Sequence, residues 1–247
     1  MIRSSNPVLK DSKFDAHAYL TGQPAVARMT LSGTLNKCLL LFAILLATSV
    51  GSAVLVLGNP GLLFPLVLGG ALGGFALALL ISIKQELAPV LAPVYAAVEG
   101  LAVGAISLLF ESRYPGVVLN AVLGTFGTMG AVLLLYRAGI LRATPMFVKT
   151  IVFATFGICG IYILNLVLRL FGLQFDPIYQ SGPIGIGFSV IVCIVAALNF
   201  VLDFDTIDRG VKNGAPKQME WYGAFGVTVT LVWLYIEMLR LLSKLRR

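Results

Sequence analysis

Three aspartates fall within six positions in NFVLDFDTIDRGV, residues 199–211, at the end of an apolar run: Asp203, Asp205 and Asp208. The whole chain has only 11 acidic residues, so the clustering asks for a chemical reason. Other charges interrupt apolar runs too: Lys37, Glu99 in VYAAVEGLAVGAIS, and Glu237 in LVWLYIEMLRLL, with Arg240 three positions on. An ionisable group inside hydrocarbon is costly, so each must face a polar interior, find a partner or shed its charge. Two carboxylates brought together from different helices cannot both ionise cheaply. They share a proton and form a pH-sensitive latch. Deprotonated, such a pair repels, parts, or takes a divalent cation, and carboxylate oxygens are the ligands calcium prefers.

Simpler readings compete at several positions. Lys37 can snorkel to the membrane interface. Glu237 and Arg240 can pair along one helix. Asp208 with Arg209 suits a solvated helix end. Asp203 and Asp205, two apart, point to different helix faces, so one of them faces inward. Asp205 is expected in the interior, and either face suits Asp203. Glu99 has no adjacent charge and must face the bundle, be protonated, or pair with another helix.

The elements that position these groups follow from composition. The chain of 247 residues is 58% hydrophobic and 12% charged, against about 25% charged in a soluble domain. Its mean hydropathy of +0.94 belongs to an integral membrane protein. A net charge of +7 would suggest nucleic acid in a soluble chain. Here the basic residues sit at the termini and between apolar runs, which reads as membrane orientation. Cys38, Cys159 and Cys193 lie singly inside apolar runs, as small hydrophobes. The single histidine is His17, so neither a histidine triad nor a histidine-ligated metal is expected within the membrane. No nucleotide-binding or hydrolase motif occurs. No enzyme and no cofactor are expected.

Spanning takes about 20 apolar residues. Seven runs meet this or nearly so, at about 34–57, 61–83, 89–110, 117–136, 147–171, 183–204 and 221–243. They do not alternate as barrel strands do, so the fold class is an all-α bundle of seven transmembrane helices. Residues 1–30 form a polar N-terminal tail without a signal-peptide core, and residues 31–247 form one membrane domain. Gly69, Gly70, Gly73 and Gly74, and on another run Gly124, Gly127 and Gly130, suit close helix packing. Twelve of the 18 Lys and Arg residues fall on the side of the N-terminus, which places that side in the cytoplasm. The basic C-terminus would then lie outside, unless the seventh run stops short of crossing.

Several segments together resemble the Bax inhibitor / YccA-like family, also called lifeguard or TMBIM, and look closest to its bacterial branch. They are SSNP at 4–7, APVYAAVEGLAVGAISLLFESRYPG at 92–116, VLGTFG at 122–127, LLLYRAGILRATPMF at 133–147, the FDT at 204–206, GAPKQMEWYGAFG at 214–226 and LVWLYIEMLRLL at 231–242. The resemblance implies a seven-helix bundle whose last helix is central and surrounded by the other six. It implies a pH-sensitive calcium leak whose sensor is an acid after Phe on helix six and an acid on helix seven. Carried over by motif, these fall on Asp205 and Glu237, which would also be the calcium ligands, with Asp203 beside them and Glu99 in reserve. The chain departs from the pattern in three ways. The helix-seven acid is Glu rather than Asp. Span two carries no Arg to neutralise the pair, leaving Lys37 or Arg240 as the possible counter-charge. Asp205 also lies level with about residue 225 on the returning helix, on the order of 18 Å from Glu237.

The competing function is a non-transporting regulator that restrains a membrane protease, as the bacterial branch implies, with the polar tail as its handle. A bacterial cytoplasmic membrane is the expected location. The lipid bilayer is the one certain partner, and nucleic acid is not expected.

Overall fold

A computed structural model describes residues 28–172 and 180–246. The expected tail therefore lies outside the described residues as far as residue 27. Seven helices follow in order: α1 Leu31–Gly58, α2 Leu63–Ile83, α3 Ala88–Arg113, α4 Val117–Arg137, α5 Pro145–Leu170, α6 Pro183–Lys212 and α7 Met219–Leu245. The shortest have 21 residues, about 31 Å at 1.5 Å per residue, which matches a hydrocarbon core of about 30 Å. All seven are long and apolar enough to cross a membrane. Large apolar side chains such as Leu57, Phe75, Leu134 and Phe153 are exposed on the outside, as a lipid-facing surface requires. The chain is an integral membrane protein.

Local sequence sets the ends. Thr30 caps α1 by accepting from the Gly33 amide at 3.0 Å, and Thr144 caps α5 ahead of Pro145. Asn59 and Pro60 stop α1, and a single 3-10 turn, Pro60–Leu62, carries the chain straight into α2. The turn between α3 and α4 needs Gly116, which adopts φ +80. There the Glu111 carboxylate accepts from the Gly116 amide and from the Val118 amide at 3.0 Å. The sixth helix runs two turns past the expected end at 204 and reaches Lys212. Its i,i+4 ion pairs, Asp205 with Arg209 and Asp208 with Lys212, carry the helix on into the interface. Asp208 therefore lies within the helix rather than beyond its exit.

The last helix is central. α7 packs along α1, α3, α4 and α6, while α2 leans chiefly on α3 and α5 on α6. The expected ring of six thus reduces to four close neighbours and two flanking helices. The seventh helix crosses completely. Lys244 reaches the start of α6 at the Gly185 carbonyl, 2.9 Å away, and Arg246 reaches the Pro115 carbonyl in the α3–α4 turn. The end of α7 and the start of α1 lie on opposite membrane faces.

Small residues set the tightest contacts. Gly70 and Gly74 face α3, where Cβ atoms would run into Ala102 and Glu99, and Gly124 faces Met238 of α7. Gly127 and Gly130 have open space beside them. The closest approach is between α1 and α3. Ser49 donates to the Gly100 carbonyl at 3.0 Å and Ser52 to the Leu101 carbonyl at 2.6 Å. A Cβ on Gly104 would stand 2.0 Å from the Ser49 carbonyl oxygen. Because that neighbour is backbone, Gly104→Ala should cost about 1–3 kcal/mol. A lowered melting temperature in detergent would register it, and an unchanged one would mean the two helices part easily.

Candidate functional site

The seam between α6 and α7 fixes where the acids stand. The helices run antiparallel, with Lys244 against Gly185 and Ser189 at one end and Gly223 against Ile207 at the other. Between them Thr230 donates to an Asp203 oxygen at 2.7 Å. In this register Asp205 is level with about Phe225 and Glu237 with about Cys193. Twelve residues separate those levels, about 18 Å along the helix axis. The structure keeps Asp205 and Glu237 apart, because two straight antiparallel helices cannot bring both levels together. A calcium ion held jointly by these two side chains does not fit this geometry. Among the described residues no group of three or more His, Cys, Asp or Glu side chains could hold a metal.

Each acid has its own surroundings. Asp205 is bound by Arg209, one turn on, at 2.7 Å; the Asp205 side chain is 21% exposed and that of Arg209 63%. The Tyr136 hydroxyl from α4 approaches the same carboxylate at 3.5 Å. Asp203 turns to the other side, toward α7. The two faces expected from their spacing are both realised, with Asp203 the inward one. Asp205 lines a cleft of about 790 Å³ between α1, α4 and α6, together with Asp208, Tyr136, Arg137 and Arg142.

Glu237 is 2% exposed. One of its oxygens accepts from the Tyr162 hydroxyl of α5 at 2.9 Å and from Arg240 at 3.0 Å. The other oxygen is buried without a hydrogen-bond partner among the described residues. Arg240 also lies over the Tyr162 ring, 5.2 Å from its centroid. The i,i+3 pairing is thus present, and Tyr162 braces it from a third helix. Close by along α7, Lys244 donates to Ser189 of α6 at 2.7 Å.

Lys37 serves neither Asp205 nor Glu237. It binds Glu220, which is fully buried at the start of α7. The Glu220 carboxylate also accepts from the Thr30 amide and hydroxyl, each at 2.9 Å. Gly33 makes this possible, since a Cβ there would overlap the carboxylate, and Lys37 also lies over the Trp221 ring at 5.4 Å. Sequence reasoning does not single out Glu220, although it adjoins the seventh apolar run on the face where Lys37 enters the first. Glu99 is partly buried on α3 and packs onto Gly74 of α2. It faces α2 rather than Glu237.

Residues 6–247 match the family model described as Bax inhibitor 1 like. Among curated proteins none matches the chain significantly. A match over nearly the whole length, on seven membrane-crossing helices, makes this chain a member of the Bax inhibitor 1 like family.

Proposed function

We propose that the protein is a passive, pH-sensitive cation leak with calcium as its permeant ion. Glu237 and Arg240 form its latch, and Asp203 is its cation-attracting group. The observation that carries this reading is Glu237 itself, a carboxylate deep in the bundle with one oxygen tethered and the other unpartnered. A charge so placed is costly and is a functional group by default. Ionised, it holds Arg240 and, through Tyr162, ties α5 to α7. Protonated, it releases the guanidinium and the helices can part, so flux should rise as pH falls. Asp203, held by Thr230, places a carboxyl group on the α6–α7 seam. Asp205, already bound to an exposed arginine, has the smaller role. The sensor in this reading is one acid and its tethered arginine rather than two acids from two helices.

The proposed setting is a bacterial cytoplasmic membrane with the N-terminus inside, supported by the excess of Lys and Arg at the end where α1 begins. Calcium entry into dye-loaded proteoliposomes, from mildly acidic to mildly alkaline pH, tests the reading. Wild type should conduct most at acid pH, Glu237→Gln should conduct without pH dependence, and Asp203→Asn should conduct several-fold less. Flux absent at every pH would defeat the leak and move the assignment to a non-transporting regulator of a membrane protease.

A further inference from the structure

The cleft beside Asp205 has a shape that the leak does not use. α1 and α4 each pack on α7 but not along one another, so a seam between them opens sideways to the bilayer. Leu35, Leu39 and Phe42 of α1 form one wall, and Met129 and Leu133 of α4 the other. Phe204 and Ile207 of α6 and Val227 of α7 line its inner side. Phe42 and Phe126 meet edge to face, with centroids 6.0 Å apart, and close the deep end. From Arg137 down to Phe126 is eleven residues of α4, about 16 Å. That is about half of a 30 Å hydrocarbon core, the depth of one leaflet.

The mouth of the cleft is basic. Its two acids are neutralised on their own helix, Asp205 by Arg209 and Asp208 by Lys212 at 2.6 Å. Arg137 and Arg142 remain on the rim, both exposed and neither in an ion pair with a described residue. Arg142 is steadied by its own loop, donating to the Gly139 carbonyl at 2.8 Å. A groove one leaflet deep, apolar below and doubly cationic at the headgroup level, matches one kind of molecule. We infer that the α1–α4 cleft is a binding site for a single anionic phospholipid, its phosphate between Arg137 and Arg142 and an acyl chain along α1 and α4 down to Phe42 and Phe126. Basic pockets between transmembrane helices are suited to anionic headgroups. This site does not rest on the leak, and its test does not measure flux.

The protein would be purified in mild detergent from nanodiscs of mixed phosphatidylglycerol and phosphatidylcholine, and the retained lipid read by native mass spectrometry. One phosphatidylglycerol per chain is expected. The double variant Arg137→Gln/Arg142→Gln should lose it by on the order of tenfold or more. In parallel, phosphatidylglycerol with a photoreactive acyl chain should label peptides containing Leu39 and Leu133. Leu133→Trp, which fills the groove and leaves the arginines, should abolish that labelling. Equal retention of the two lipids, indifference to the arginine variants, or labelling spread evenly over α2 and α5 would overturn the inference. Crosslinks from the groove to a second polypeptide would overturn it too, in favour of a helix as occupant.

Discussion

Replacing Lys37 with Met should destabilise the bundle by about 3–5 kcal/mol, the usual effect of stranding one member of a buried ion pair. The stranded group is the Glu220 carboxylate, which is fully buried. It would keep the Thr30 hydrogen bonds but lose its counter-ion. The reverse change should be milder. Glu220→Gln keeps the shape that fits over Gly33 and leaves Lys37, whose side chain is 15% exposed, free to reach the interface. The double variant Lys37→Met/Glu220→Gln should recover much of the loss, since no uncompensated charge remains. Thermal unfolding in detergent, followed for all four proteins, measures the coupling directly. Equal losses in the two single variants, adding up in the double, would mean the pair contributes only packing.

Arg240→Gln should raise calcium flux at neutral pH by roughly tenfold and flatten its pH dependence. A charge-assisted hydrogen bond contributes about 1.5–3 kcal/mol, and the 36% exposure of Arg240 argues for the low end. A bias of about 1.4 kcal/mol is a factor of ten in a two-state latch. Tyr162→Phe, which removes the second donor to the same oxygen, should move flux in the same direction by less. Reduced flux in Arg240→Gln, with the protein still folded, would make the arginine part of the pathway rather than of the latch.

Apolar run length alone made the seven helices legible, because a spanning segment must satisfy its own backbone. Asn59-Pro60 is an equally local stop signal in the sequence. The end of α6 was less legible. Asp203, Asp205 and Asp208 read as a polar stop, yet the i,i+4 partners of Asp205 and Asp208 extend the helix. The register of α6 on α7 could be anticipated from the short connection, and it sets the axial distance between Asp205 and Glu237. What a sequence does not carry is the rotation of each helix about its axis. That rotation turns Asp203 toward Thr230 and Glu99 toward Gly74. It also buries the side chain of Glu220, which looks like one more charge at a helix start.

The Lys37–Glu220 contact joins residues 183 positions apart, and that distance is also a delay. A chain made at about 5–20 residues per second inserts α1 some ten to forty seconds before α7 exists. During that interval Lys37 lacks the Glu220 carboxylate, and its ammonium favours the membrane surface. Only when the last helix arrives can the lysine be drawn in.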